Sequence, residues 1–178
     1  MTDRSATESD AGITLVELII YVLVSSTLLL ATAMILINSV NAQRDVLSMS
    51  EATARGQAMG ATIERALRNA VAVDVATDPT GATLRVHTSL AGALECQGFV
   101  FSGGDARTAL SDSALSAPSG WTVWESGILP SGAEAFFTPD DAGVAYAFEI
   151  ATDAAPVRIA GETATRINVS AGVTAPCW

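Results

Sequence analysis

The chain has 178 residues, a formal net charge of -10, 49% hydrophobic residues, two cysteines and one histidine. The net charge of -10 and a sequence pI near 4.3 argue against the extended basic footprint that phosphate backbones require, and so against direct nucleic-acid binding; all nine basic residues are arginine. The length allows one soluble domain with a real core beside an apolar segment.

Residues 1–12, MTDRSATESDAG, are polar and set Asp3, Glu8 and Asp10 against Arg4. From Ile13 to Val40 the only formal charge is Glu17, and Leu18 to Ile37 are twenty residues with none. That matches the roughly 20 residues needed to cross the hydrocarbon core as a helix. A secretory signal has a shorter apolar run, roughly 7 to 15 residues, followed by its cleavage site, so this chain is expected to stay in the membrane. A carboxylate near the start of such a helix is costly, roughly 2.5–3.5 kcal/mol at the helix centre and less near the interface, and it needs a partner or a reason.

Gly12, Ile13, Thr14-Leu15 and Glu17, after a short polar leader, together resemble the class III signal of type IV pilins and type II secretion pseudopilins. The resemblance implies that a prepilin peptidase cuts between Gly12 and Ile13, that Ile13 becomes an N-methylated N-terminus, and that Glu17 of one subunit pairs with the Ile13 amine of its neighbour. An α-amino group is mostly protonated at neutral pH, so the pair compensates two charges that would otherwise face lipid. It also implies the partners: other pilins or pseudopilins in a filament, the peptidase, a membrane assembly platform protein, and lipid before assembly. The implied location is a single-pass membrane protein with an extracytoplasmic C-terminal domain, and a cell-surface filament after assembly. Sortase-type assembly resembles an isopeptide chemistry that needs a lysine nucleophile, and neither a lysine nor an LPxTG-like sorting signal is present. The subunits are expected to assemble non-covalently.

Beyond the apolar run, Val46, Met49, Met59, Ile63, Leu67 and Ala70 recur on one helical face, with Arg44, Glu51, Arg55, Glu64 and Arg68 among the polar positions, which predicts a helix to about Val71. Gly56 and Gly60 lower helix propensity by up to roughly 1 kcal/mol each. They are read as close packing against the domain's own strands, since G-x-x-x-G is a dimer motif chiefly inside apolar membrane segments. Residues 62–73, TIERALRNAVAV, carry an arrangement that resembles W-type minor pilins and J-type minor pseudopilins. On composition alone they are an amphipathic helix end with Arg65 and Arg68 suited to the helix dipole.

Asp78 to Gly81 is a turn signal, and Thr83 to Leu90 alternates as a half-buried strand. Further strands are expected at Gly98–Phe101, Trp121–Trp124, Ala135–Thr138, Val144–Ile150 and Thr165–Ser170, with an irregular loop over Ser102–Gly120. The fold class is α+β: a pilin-like ladle whose long N-terminal helix packs on an antiparallel sheet. Its parts are a leader at 1–12, a transmembrane or filament-core helix at 13–40, an amphipathic half at 41–73 and a β-rich domain at 74–178.

Cys96 and Cys177 fall in the part read as extracytoplasmic, where a disulfide is expected; it would close a loop of roughly 80 residues, worth about 4–5 kcal/mol in the chain-entropy model. Two unpaired thiols are the alternative. A metal site lacks ligand spacing of the C-x2-C kind. His87 shares a strand face with Arg85 and Ser89 and is read as solvent-facing, with no G-x-S-x-G context for a triad. Asp140-Asp141 with Gly143 reads as a plain turn in preference to a calcium loop. Asn168-Val-Ser170 fits the glycosylation sequon. Trp121 and Trp124 read as core, and Trp178 is open to either role.

The expected function is therefore non-enzymatic, with no cofactor: a minor pilin that helps initiate or cap a type IV pilus-like filament. The alternatives are a minor pseudopilin of a secretion or DNA-uptake machine, and a membrane-anchored binding domain or enzyme unrelated to filaments.

Overall fold

The computed structural model describes residues 14–90, 92–140, 143–165 and 177–178. The chain divides after Arg44 into two compact units.

The first unit is helical from Leu15, within helix α1, Leu15–Arg68. Thr14 caps it: its hydroxyl accepts the Glu17 backbone N–H at 3.3 Å and its carbonyl accepts that of Leu18 at 3.1 Å. Further on, Ser26, Thr27 and Thr32 donate their hydroxyls to carbonyls three or four residues back. These bonds keep polar groups satisfied on an otherwise apolar surface.

The second unit begins with the remainder of α1. Ala52, Gly56, Met59, Gly60, Ile63, Ala66 and Leu67 are its buried positions, the spacing of an amphipathic helix. Val46 and Met49, expected on that face, are exposed, so the inward stripe begins at Ala52. The helix stops at Arg68 instead of near Val71. Asn69 takes over as a stop: its side-chain amide donates to the Arg65 carbonyl at 2.8 Å, and its own carbonyl accepts from the Ser89 N–H at 3.0 Å. The β-branched run Val71, Val73, Val75 then enters β1, Ala70–Asp78, so the β-rich region starts four residues earlier than expected.

Strands β1, β2 (Gly81–Leu90), β3 (Ala93–Ser102), β4 (Asp105–Ser111) and β5 (Thr122–Ser126) form a five-stranded antiparallel meander. Strand β4 lies inside the segment expected to be irregular. Its alternation is framed by Gly103 and Gly104, whose φ values of 60° and 84° make the tight turn from β3. A second sheet contains β6 (Ile128–Leu129), β7 (Phe137–Pro139), β8 (Gly143–Ile150) and β9 (Val157–Ala164), with β8 at its centre. Strand β9 was not expected, and the strand expected at Thr165–Ser170 lies outside the described residues after Thr165, which has no regular structure.

The core joins Met59, Ile63 and Leu67 to Leu84, Val86, Phe99 and Phe101 of the first sheet and Phe137, Phe148 and Ile150 of the second. Phe101 is its hub, with ring centroids 5.0 Å from both Phe137 and Phe148. The helix approaches β8 and β9 closely because two positions lack a side chain. A Cβ on Gly56 would stand 2.4 Å from Cγ1 of Ile159, and one on Gly60 would stand 2.5 Å from the Tyr146 hydroxyl. The glycine pair thus serves contact within the domain, as its polar context suggested.

Candidate functional site on the apolar helix

The cleavage pair, Gly12 and Ile13, lies outside the described residues. From Thr14 onward the geometry is defined. Thr14 and Glu17 have the T-x-x-E spacing of a capping box, and the hydroxyl half of that exchange is made. The Glu17 carboxylate turns the other way: its Oε1 accepts a hydrogen bond from the Tyr21 hydroxyl at 3.1 Å. Its position in the first turn also places negative charge near the positive end of the helix dipole. Tyr21 was not singled out from the sequence. The signal for it was the i, i+4 spacing to Glu17, which puts both side chains on one face.

Around this carboxylate the helix is predominantly apolar and carries no other charge as far as Val40. An 18-residue window of the helix reaches a mean hydropathy of 2.3, and none of it is buried. Leu15, Leu29 and Ile35 are 74%, 70% and 69% exposed, so no part of the described chain covers them. One such helix followed by a β domain fits a single-pass membrane protein. Within the second unit, Val46 and Leu47 are also exposed, at 65% and 62%, in the neighbourhood of the charged Asp45 and Glu51.

The segment with the ERALRNA pattern does structural work inside the domain. Glu64 accepts a hydrogen bond from the Tyr146 hydroxyl at 2.9 Å through Oε1 and pairs with Arg68 at 2.8 Å through Oε2. Burial, reinforced by that bond and by the Glu64 charge, pushes the Tyr146 phenol above its ordinary pKa. Arg55 reaches across to Glu125 on β5 at 3.1 Å. Arg65 is exposed.

Cys96 and Cys177 form the expected disulfide, with Cα atoms 5.4 Å apart and a sequence separation of 81. Both residues are buried. His87 is the cross-strand partner of Cys96, and its ring nitrogen and the two sulfurs lie within 4.8 Å of one another. It is half-buried against the bridge, which corrects its reading as a plain solvent-facing residue. With the sulfurs bonded to each other, the group offers no thiolate pair to a metal. The same sheet face carries Trp121, buried over Gly98, where a Cβ would stand 2.3 Å from the indole, and its Nε1–H donates to the Ser116 carbonyl at 3.0 Å. The Leu115 N–H donates to the Cys177 carbonyl at 3.0 Å, so the low-complexity segment and the C-terminal residues are tied together. Trp124 packs half-buried against Phe99 at 5.8 Å, and Trp178 is 38% exposed. Asp140 and Gly143 exchange two backbone hydrogen bonds that close a turn; Asp141, Asn168 and Ser170 lie outside the described residues. No family model matches the chain, and no curated protein or solved structure matches it.

Proposed function

We propose that the chain is a minor pilin, a non-covalent structural subunit that helps initiate or cap a type IV pilus-like filament. The observation that carries the reading is a single carboxylate, Glu17, in the first turn of a capped helix whose apolar surface is exposed among the described residues. Lipid can cover that surface before assembly, and the same helices of neighbouring subunits can cover it afterwards. Exposed Val46 and Leu47, set among charges, are poorly suited to lipid and better suited to a protein neighbour. In this reading the leader is removed at Gly12, the Ile13 amine of one subunit meets Glu17 of the next, and the disulfide-stapled domain stays extracytoplasmic. The Cys96–Cys177 bridge is compatible with that compartment.

The test is Glu17→Ala. Removing a charge from the apolar segment should leave membrane insertion intact or improved. Leader cleavage, checked by mass spectrometry of the mature N-terminus, should be retained. The share of this subunit in sheared filaments relative to membranes should fall severalfold. An unchanged share, or a cut far downstream of Ile13, would overturn the reading.

A further inference from the structure

Hydrogen-bonded hydroxyls along the apolar helix have two kinds of acceptor. Those of Ser26, Thr27 and Thr32 turn back onto carbonyls of their own helix. The Tyr21 hydroxyl, carried farther out on a rigid ring, donates to a side chain, and that side chain is the one charge between Ile13 and Val40. A tyrosine suits this place because its ring is apolar enough for the bilayer while its hydroxyl remains a donor.

The donor's neutrality matters. An arginine or lysine one turn on would compensate the carboxylate and cancel its attraction for a second cation. A phenol orients it and lowers its desolvation cost while leaving the negative charge in place. Only Oε1 is engaged by Tyr21, and among the described residues Oε2 has no hydrogen bond. Both side chains are exposed, so the free oxygen is open to another molecule.

We propose that Tyr21 is a positioning residue for assembly: it holds the Glu17 carboxylate by one oxygen, so that the other is presented to a cationic group of an adjoining subunit. The proposal rests on the filament reading above, and the protonated amine at Ile13 is the cation that reading supplies. Tyr21 touches no incoming group itself and acts through Glu17.

The experiment uses the full chain with Tyr21→Phe, which deletes the hydroxyl and keeps the ring. Infrared spectra of protein carrying carboxyl-labelled glutamate in lipid bilayers report the hydrogen bonding of Glu17, isolated by subtracting the spectrum of Glu17→Gln. Tyr21→Phe should shift that band and lower the subunit's share in filaments about tenfold, the effect of losing one hydrogen bond to a charged group. Thr32→Val, which deletes a hydroxyl bonded only within the helix, should change neither. An unshifted band overturns the proposal, because the bond is then absent in lipid. A shifted band with an unchanged filament share also overturns it, provided Glu17→Ala lowers that share; if Glu17→Ala has no effect either, the filament reading itself has failed.

Discussion

Two stretches of one helix are equally helical and differ in what surrounds them. From Leu18 to Val40 every residue is exposed, whereas Ala52, Ile63, Ala66 and Leu67 are each 0% exposed. The first stretch is apolar on all sides, so it has no distinguished face. The second is striped. Its small residues sit where the strands come closest, and its charged residues point outward or pair, as Arg55 does with Glu125. Hydrophobicity alone therefore does not say what will bury a residue; periodicity and side-chain size do.

The strongest way to break the contrast is to fill the helix–strand contact. Gly60→Leu would drive a side chain into the Tyr146 hydroxyl, which a Cβ alone would meet at 2.5 Å. Overpacking of this kind costs about 1–3 kcal/mol, and displacing the tyrosine from Glu64 adds about 1 kcal/mol. Urea unfolding of the detergent-solubilised full chain, followed by tryptophan fluorescence, should show a lowered midpoint while membrane insertion is unchanged. An unaltered midpoint would mean that the helix does not lie against β8.

A smaller change removes only the hydrogen bond at that contact. Tyr146→Phe should cost about 1 kcal/mol, with Glu64 still held by Arg68. The phenol's folded-state pKa is raised above the ordinary value of about 10, so its contribution is complete below that pH and is lost as the pH climbs above it. The unfolding midpoint of the parent chain should therefore decline on the alkaline side of pH ~10. The Tyr146→Phe chain should decline less steeply; equal slopes would exclude Tyr146 as the source.

What could be read from residues follows the same division. The apolar span, the Gly56 and Gly60 contact and the cysteine pair were legible, because each leaves a mark in composition or spacing. The end of α1 was not: Ala66 to Val75 suits helix and strand alike, and the stop is one side-chain hydrogen bond from Asn69. Strand β9 was hidden because the position opposite Tyr146 is Gly161, where the tyrosine ring occupies the space a side chain would take, so apolar alternation fades there. At the candidate site, Glu17 was visible as an isolated charge. Tyr21 passed as bulk in an apolar helix, since only the helical spacing to Glu17 reveals that its hydroxyl has a use.

The mildest change tests the uncovered half of the comparison. Leu29 is 70% exposed and, among the described residues, belongs to no buried cluster, so Leu29→Ala leaves no cavity in the domain core. Its effect on the domain's urea midpoint should stay within about 0.5 kcal/mol, the range of surface substitutions. Combined with Gly60→Leu, it should add nothing beyond the effect of the glycine change, because the two positions share no partner. A clear loss of domain stability from Leu29→Ala, or a combined effect that departs from the sum by more than about 0.5 kcal/mol, would mean that the apolar stretch does find cover within its own chain. Its exposure would then no longer support a partner outside the chain.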